Sequence, residues 1–470
     1  LDLIEPGVVG IGLDAIHPHQ VVAIGHGPLP NHQQAWRANL LWITRDRAPR
    51  PSRWGEPNQQ ARRHQSPQAK PAQKPLPMKR PQSLRHGCQH GPMLAYLDHH
   101  ATTPCDPAVV AAMAPWWSEQ FANPASRLYR PALEAAAAVE RARAQVAAGL
   151  GATSEMVIFT SGATEANNLA LKGLAEAELL AGGQRRHLIT LATEHQAVLD
   201  PLRYLARHGF ELSVLPVQPN GLVDLQQLEA ALRADTLLVS VMAANNEIGV
   251  LQPLAAIGRL CQARGVRLHC DAAQAMGHIP LAMDALGIDL LSLSGHKLYG
   301  PKGVGALVVR PGLELAPQLH GGQQEGGRRA GTLPVPLLVG LGAAVEQAIA
   351  DLGPRSLRLM ALRDQLWQAL KALGGVSLSG DLHARLPHNL NVTIAGVDGT
   401  ALHQHLRRQL AVSSGSACSQ GSPSHVLAAL GRSRHEAAAS IRFGLGRSTS
   451  AAEITTAIAA VGEAVRVLRG

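Results

Sequence analysis

Short polar clusters, each following a short apolar run, contain the residues of this sequence that could do chemistry. They supply an amine, four carboxylates, two imidazoles and several amides. Taken singly, each cluster has an ordinary explanation as a helix cap, a turn or a solvated lysine. The clusters are Thr160-Ser161-Gly162-Ala163-Thr164-Glu165, Thr193-Glu194-His195, Asn245-Asn246-Glu247, Asp271-Ala272-Ala273-Gln274 and Ser294-Gly295-His296-Lys297.

Together, Lys297, Asp271 and His195 provide three groups that pyridoxal 5'-phosphate requires of a protein. The amine bonds the cofactor, the carboxylate pairs with the ring nitrogen, and the flat imidazole stacks on the ring. The small residues 161–164 open a helical stretch, where free N–H groups and the helix dipole would hold a phosphate. The clusters therefore predict a site for this cofactor if the fold brings them together.

Seven short apolar runs predict the strands that position these clusters. Most are separated by helix-length segments, which is typical of crossover connections and a mainly parallel sheet covered on both faces. The carboxyl ends of such strands meet at one edge, so the clusters converge there. Residues 131–150 repeat apolar positions at helical spacing and predict a long helix. The runs are Val157–Phe159, Leu188–Leu191, Leu212–Leu215, Leu237–Met242, Val266–His269, Leu290–Leu293 and Ala306–Val309.

The positive charge of the chain is concentrated in its first 92 residues. The chain has 470 residues and a formal net charge of +9. Residues 1–92 contain 12 Lys and Arg against 5 Asp and Glu, and the remainder contains 31 against 29. The first 92 residues also hold 13 of the 31 prolines and no Phe, so they cannot bury enough apolar surface to offset the entropy of ordering. We expect a disordered basic extension, and the near-neutral remainder argues against a nucleic-acid-binding globule.

Three interpretations of this extension stay open. It is an organelle transit peptide, a basic interaction arm, or an upstream extension that the mature protein lacks. Met93, placed directly before the first patterned segment, favours the third.

The cysteines favour a reducing cytoplasmic location. They are odd in number and irregularly spaced, with no CxxC pair, which argues against a disulfide framework or a structural zinc site. The histidines show no metal-ligand spacing, and no apolar run is long enough to predict a membrane span. Cys261 and Cys270 are expected to be small buried hydrophobic residues, and Cys88 and Cys105 stay unassigned. Cys418 differs, because it lies in a loop of small residues where a mobile thiol could react.

The body of the chain resembles the pyridoxal-phosphate-dependent cysteine desulfurases of the class V aminotransferase superfamily, in the housekeeping iron–sulfur-assembly and nitrogenase-associated branch. The matching motifs cover nearly all of residues 93–470 in family order. SGHKLYGPKG indicates the superfamily, and SSGSAC indicates the branch. The motifs are YLDHHATTPCDP (96–107), NPASR (123–127), FTSGATEANNLALKG (159–173), TEHQAVLD (193–200), NNEIGVLQP (245–253), DAAQAMG (271–277), SGHKLYGPKGVGAL (294–307), GGRRAGT (326–332), SSGSAC (413–418) and IRFGLGR (441–447).

This resemblance implies a role for each site residue by its position in a motif. Lys297 would bond the cofactor, Asp271 would face the ring nitrogen, and His195 would stack on the ring. Gln274 would hydrogen-bond the ring hydroxyl oxygen, and Asn246 would help orient cofactor and substrate. The phosphate would be held by Ala163, Thr164, Ser294 and His296 of the same chain and by Thr332 of the partner subunit. The contribution of Thr332 implies a homodimer with shared sites.

The implied reaction converts L-cysteine to L-alanine and leaves a persulfide on Cys418. Arg442 would bind the substrate carboxylate with its two-pronged guanidinium. Lys297 would move the Cα proton, the Cys418 thiolate would attack the substrate sulfur, and His195 is a candidate proton shuttle. The persulfide would pass to acceptor proteins of the iron–sulfur scaffold or tRNA-thiolation type, with no direct nucleic-acid or membrane partner.

The implied architecture is the α/β fold type I of pyridoxal-phosphate-dependent transferases, which is aspartate aminotransferase-like. A large cofactor-binding domain would span 107–352, with a mainly parallel sheet. A smaller α+β domain would combine 93–106 with 353–470 and carry the mobile cysteine loop, 413–424. Within it, NLNVTI (389–394) predicts a strand, and Ser450 and Glu453 form a capping box that begins the final helix.

Two alternatives remain beside the cysteine desulfurase. One is a selenocysteine lyase or another class V aminotransferase-like enzyme, which would not depend on a loop cysteine. The other is a non-catalytic binding protein. The chain also departs from the family at Tyr129, where members commonly have His, which leaves the local contact open.

Overall fold

Twelve strands lie in the part of the chain that the computed structural model describes, residues 94–414 and 424–470. All seven predicted runs form strands, and so does NLNVTI, with ends within two residues of those predicted. The strands are β1 (Ala95–Tyr96), β2 (Val157–Thr160), β3 (His187–Leu191), β4 (Glu211–Leu215), β5 (Thr236–Ser240), β6 (Arg267–Asp271), β7 (Leu290–Ser294), β8 (Gly305–Val309), β9 (Val376–Leu378), β10 (Asn389–Ile394), β11 (Leu410–Ala411) and β12 (Ser440–Gly444).

The central sheet has seven strands in the order β2-β8-β7-β6-β5-β3-β4. Strands β7, β6, β5, β3 and β4 pair in parallel, whereas β8 runs antiparallel to both β7 and β2. This confirms the predicted mainly parallel sheet. The reversal at β8 follows from its short connection to β7, since a parallel crossover needs a dozen or more residues.

Helices connect most of these strands, and their ends follow local sequence signals. The predicted long helix is confirmed, beginning one residue early and ending two residues early, before Gly149. The capping box of Ser450 and Glu453 begins the last helix as predicted. The helices are α1 (Pro107–Met113), α2 (Pro115–Ser118), α3 (Arg130–Ala148), α4 (Ala163–Leu180), α5 (Gln196–Ala206), α6 (Leu225–Ala231), α7 (Leu254–Ala263), α8 (Met283–Leu286), α9 (Val335–Ala350), α10 (Leu352–Lys371), α11 (Gly399–Leu406), α12 (His425–Ala429), α13 (Arg434–Ala438) and α14 (Ala451–Arg469).

Both faces of the central sheet are covered. Alternate residues of one strand point to opposite faces, so Ile189 packs with α3 and α9 while Leu188 packs with α4 and α5. The inner strands β3, β5 and β7 are buried along their whole length, β6 is buried except at Arg267, and the edge strand β4 is partly exposed. This is the arrangement expected from continuous apolar runs rather than alternating ones.

A separate apolar cluster surrounds a three-stranded antiparallel sheet, β12-β10-β9. Helices α10, α11 and α14 contribute to it, together with β1, which pairs in parallel with β11. The division into a large and a small domain stays a prediction.

The predicted basic extension, 1–92, and Cys88 lie outside the described residues, as does Cys418. Among the residues the structure covers, no single helix is long and apolar enough to cross a membrane, although α9 and α10 pass that test together as a pair bent by 71°.

Two buried histidines, His269 and His278, are expected to make the stability of this fold sensitive to acid. His269 bridges β5 and β7 through the hydroxyls of Ser240 (2.8 Å) and Ser292 (3.0 Å). Burial lowers the pKa of His269 to about 4 and that of His278 to about 3. Between about pH 6 and pH 4 the unfolded chain therefore binds more protons than the native state. As the pH is lowered through this range, the free energy of unfolding decreases by about 1.4 kcal/mol per pH unit for each histidine. Urea unfolding across this range is expected to show that loss.

The His269→Gln variant separates this effect from the titration of carboxylates. It is expected to be less stable at neutral pH but to lose stability less steeply in acid. His208→Gln, at an exposed position, is the matched control. A slope that is the same in wild type and His269→Gln would contradict the assignment.

Candidate active site

The polar clusters meet around one cavity of about 550 Å³ beside the carboxyl ends of the parallel strands. The predicted convergence is therefore confirmed as a matter of placement, while the role of each residue stays a prediction. The predicted residues that line the cavity are Ala163, Thr164, His195, Asn246, Asp271, Gln274, Ser294, His296, Lys297 and Arg442. Sequence reasoning did not select His100, Thr102, Asn167, Met242 or Lys302, which also line it.

Lys297 ends a short 3₁₀ turn, Gly295–Lys297, that directly follows β7. Its Nζ donates to the backbone carbonyls of Ala101 (3.0 Å) and His100. Two residues later, Tyr299 has a φ of +65°, a conformation that is unfavourable for a bulky residue. The guanidinium of Arg447 lies 4.4 Å from the centre of the Tyr299 ring, and the backbone N–H of Arg447 donates to the Tyr299 hydroxyl. These contacts stabilise the turn that positions the amine.

Asp271 is the last residue of β6, and both of its carboxylate oxygens are hydrogen-bonded. Oδ1 accepts from the N–H of Ala273 (2.9 Å), and Oδ2 accepts from Nδ2 of Asn167 (2.8 Å). Asn167 lies three residues after Thr164 on α4, so both face the same side of that helix. That spacing is the signal by which sequence reasoning could have found Asn167.

His195 caps the N-terminus of α5. Its Nδ1 accepts from the N–H of Ala197 (3.0 Å), so the proton of the neutral ring is on Nε2. Burial lowers the pKa of His195 below its ordinary value, while Asp271 acts in the opposite direction. The ring is therefore flat and uncharged at neutral pH, as a residue stacked on an aromatic cofactor should be.

The start of α4 forms a cradle for an anion. Gly162 precedes the helix with a φ of +153°, which glycine adopts far more readily than other residues. Gly305 of β8 packs against it so closely that a Cβ there would lie 2.7 Å from the Gly162 Cα. The first N–H groups of this 18-residue helix have no carbonyl within the helix to bond, and they face the cavity with the positive end of the helix dipole.

Ser294, the last residue of β7, and His296, on the turn that carries Lys297, line the cavity together with this cradle. Burial, together with the nearby amines of Lys297 and Lys302, lowers the pKa of His296 to about 4. Its Nδ1 is 3.1 Å from the hydroxyl of Thr102. The imidazole is therefore neutral, and the positive charge at this end of the cavity comes from the two lysines.

Arg442 lies in β12 and reaches the cavity from the second apolar cluster. Its Nη1 donates to the carbonyl of Asn246 (2.9 Å), and its Nη2 pairs with Asp98 (2.7 Å). The side chain is buried, and its Nε has no hydrogen-bond partner. A buried guanidinium with an unused donor suits a carboxylate ligand. Sequence reasoning missed Asp98 because its partner is distant in the chain.

Both described ends of the segment that contains Cys418 attach beside the cavity. On one side, Ser413 exchanges backbone hydrogen bonds with Arg442. On the other, the Ser424 hydroxyl donates to the carboxylate of Glu247, and the His425 ring contacts the carbonyl of Glu194 (2.9 Å). Residues 415–423, including Cys418, are outside the described residues.

Thr332 is exposed and does not line this cavity. The segment before it is fixed by two ion pairs. Glu325 forms a buried, two-point pair with Arg143 (2.8 Å for both contacts). Arg329 pairs with Glu165 (2.7 Å), in the first turn of α4. The exposed position agrees with the prediction that Thr332 serves the partner subunit, and it leaves that role a prediction.

The other residues considered in the sequence analysis lie outside the cavity. Cys261 and Cys270 are fully buried, as predicted, and burial raises the pKa of the Cys261 thiol to about 12. Cys105 is half-buried. Tyr129 is half-exposed and directly precedes α3.

These residues fit pyridoxal 5'-phosphate. The helix start and the small residues around Gly162 leave room for a phosphate, and Asp271 is fixed where a protonated ring nitrogen could meet it. The buried Asn167 Oδ1 and Arg442 Nε, both without partners, are groups that a bound cofactor and substrate can approach. An amine, a carboxylate and a flat imidazole are the donor set that the cofactor needs.

Comparisons with known proteins identify the family of this chain. The model of the class-V aminotransferase family matches residues 95–456. The protein of Aeromonas salmonicida (strain A449) named cysteine desulfurase IscS is 50% identical over 380 residues, which are 80% of this chain and 93% of that protein. A solved structure titled NifS-like protein is 36% identical, with a TM-score of 0.75 over 80% of this chain and 100% of that one. The structure of SspA in complex with cysteine is 38% identical, with a TM-score of 0.66 over 75% and 98%. The chain belongs to the class-V aminotransferase family and, within it, to the cysteine desulfurases.

Proposed function

We propose that this protein converts L-cysteine to L-alanine with bound pyridoxal 5'-phosphate and collects the sulfur as a persulfide on Cys418. The observation that carries the proposal is the joint placement of Lys297, Asp271, His195 and Arg442 around one cavity. Membership of the cysteine desulfurases supports it, as does the similarity to the solved structure of SspA in complex with cysteine.

The cofactor is assigned to this cavity by the groups around it. Lys297 would bond it, Asp271 would pair with its ring nitrogen, and His195 would stack on its ring. The first N–H groups of α4, with Ser294 and His296, would hold its phosphate. When bound, pyridoxal 5'-phosphate supplies a covalent attachment for the substrate amine and an electron sink that weakens the Cα–H bond.

Arg442 binds and orients the substrate. Its Nη groups are held by Asn246 and Asp98, so the guanidinium is fixed before the substrate arrives. The partnerless Nε supplies a donor for the substrate carboxylate. This contact turns the Cα–H bond of L-cysteine toward Lys297, which removes the proton and later returns one.

Cys418 performs the sulfur transfer. Its thiolate attacks the sulfur of the substrate, so a sulfur–sulfur bond forms as the substrate Cβ–S bond breaks. The carbon keeps the bonding electrons and is protonated to give alanine, while Cys418 retains the sulfur as a persulfide. Attachment of the flanking residues Ser413 and Ser424 beside Arg442 and Glu247 supports this route.

The cycle requires acceptor proteins and a reducing compartment. Each turnover leaves a persulfide that must pass to a sulfur acceptor, of the iron–sulfur scaffold or tRNA-thiolation type. The cytoplasm suits this chemistry because Cys418 must return to the thiol. A homodimer would complete the phosphate site with Thr332 of the partner subunit.

Mass spectrometry of the full chain tests the proposal. After incubation with L-cysteine and the cofactor, the peptide that contains Cys418 is expected to gain the mass of one sulfur atom. A reductant should remove the gain, and the peptide of Cys105 should not show it. Alanine production without any sulfur on Cys418 would reject the proposed route.

A further inference from the structure

His100 holds the side-chain amide of Gln274 through two hydrogen bonds. Its Nε2 donates to the backbone carbonyl of His100 (2.9 Å), and its Oε1 lies 3.0 Å from the Nδ1 of the same residue. His100 is buried and lines the cavity. One residue therefore contacts both ends of the amide and sets its plane.

The direction of these hydrogen bonds is fixed by a chain of buried side chains that starts at Arg385. A guanidinium can only donate, so Arg385 Nη1 donates to Oδ1 of Asn389 (2.8 Å). The amide of Asn389 must then present Nδ2 to Nε2 of His100 (3.1 Å). Nε2 accepts, and the proton of the neutral ring is on Nδ1.

The Nδ1 proton of His100 determines which way the Gln274 amide faces. Nδ1 donates to Oε1, which leaves Nε2 for the carbonyl of His100. In a flipped amide, the Gln274 Nε2 would face the Nδ1–H of His100, so two donors would meet. The Gln274 Oε1 would face the His100 carbonyl, so two acceptors would meet, and the flip is disfavoured at both contacts. One hydrogen of Nε2 remains for a group in the cavity.

Stacking prevents the His100 ring from turning out of this arrangement. The ring of His388 lies 4.5 Å from it at an interplanar angle of 27°, and the ring of His278 lies 4.0 Å from His388 at 24°. Burial lowers the pKa of His100 and of His388 well below their ordinary values, so the rings stay neutral. His100 also accepts from Lys297 through its carbonyl, which ties the amide and the amine to one residue.

We propose that His100 is a positioning residue: with Asn389 and Arg385 it fixes the amide of Gln274 so that Nε2 donates to the ring hydroxyl oxygen of pyridoxal 5'-phosphate. This inference rests on the proposed function, which places the cofactor in the cavity. His100 itself does not react.

A cofactor analogue tests the inference without relying on turnover. Apoenzyme of the full chain is titrated with pyridoxal 5'-phosphate and with its 3-deoxy analogue, which lacks the ring hydroxyl. The wild type is expected to prefer the natural cofactor, and His100→Leu is expected to lower the ratio of the two dissociation constants by about 5-fold, the effect of one lost hydrogen bond. Gln274→Ala should lower it at least as far.

His100→Asn is the conservative comparison. Its side-chain amide can place an N–H near the position of Nδ1, so it is expected to restore most of the ratio. Asn389→Ala leaves His100 in place but removes the donor that fixes its tautomer, and it should also lower the ratio. This variant keeps the test decisive if His100→Leu does not fold, as judged from the melting temperature of the apoenzyme. His208→Leu, at an exposed position, should leave the ratio unchanged.

The results distinguish failure of this inference from failure of the proposed function. A ratio unchanged in whichever of His100→Leu and Asn389→Ala folds would overturn the inference, as would a wild type that binds both compounds equally. Weaker binding of both compounds with the same ratio would show only general damage to the cavity and also overturn it. Failure of the wild type to bind the natural cofactor would instead reject the proposed function.

Discussion

The Cys418→Ala variant is expected to form alanine from L-cysteine about 10³-fold more slowly than the wild type, or slower still. The cavity that is proposed to hold the substrate offers no thiol among its described lining residues to replace Cys418 as the sulfur acceptor. Without Cys418 the Cβ–S bond has no nucleophile to receive its sulfur atom. The measurement is the initial rate of alanine formation by the holoenzyme.

Cofactor uptake separates this loss from misfolding. Cys418 is not among the groups assigned to the cofactor, so Cys418→Ala should bind pyridoxal 5'-phosphate as tightly as the wild type. Cys105→Ser, which changes a half-buried thiol outside the cavity lining, should keep wild-type activity. Full retention of alanine formation by Cys418→Ala would refute the mechanism and favour a lyase that does not use a loop cysteine.

The Lys297→Ala variant is expected to lose both covalent cofactor attachment and turnover. The amine is held by two carbonyls at the edge of the cavity, and among the groups placed there it is assigned both the bond to the cofactor and the movement of the Cα proton. Loss of a general base alone costs about 10²- to 10⁴-fold in rate. We therefore expect a fall of about 10³-fold or more, measured as alanine formation under saturating cofactor.

Borohydride treatment followed by mass spectrometry reports the attachment directly. The wild type should retain the mass of the reduced cofactor on the peptide of Lys297, and Lys297→Ala should retain none. Lys371→Ala, in the exposed last turn of α10, is the matched control and should behave as the wild type. Attachment that persists in Lys297→Ala would assign the bond to a different lysine.

Much of the large sheet and most of the cavity could be predicted from sequence because the signals are local. An apolar run such as residues 188–191 buries both of its faces whatever its partners are, so its strand is visible in isolation. Polar residues directly after such runs then share one edge by geometry. The positions of His195 and Lys297 at this edge follow from that geometry alone, without the family resemblance.

The parts that sequence reasoning missed depend on contacts between distant residues. Asp98 pairs with Arg442, and His100 contacts Asn389, across more than 280 residues of chain. No local pattern records such a pairing. The antiparallel direction of β8, by contrast, was predictable, because too few residues separate it from β7 for a helical crossover.

Strand β12 would couple two proposed functions through a single residue. The side chain of Arg442 lines the cavity, where we propose that it binds the substrate, while its backbone amide and carbonyl hold Ser413, which precedes the segment that contains Cys418. A shift of this strand would therefore change substrate affinity and sulfur delivery together. Changes of substrate preference by protein engineering are better directed at Met242, which also lines the cavity but does not belong to the strand that holds Ser413.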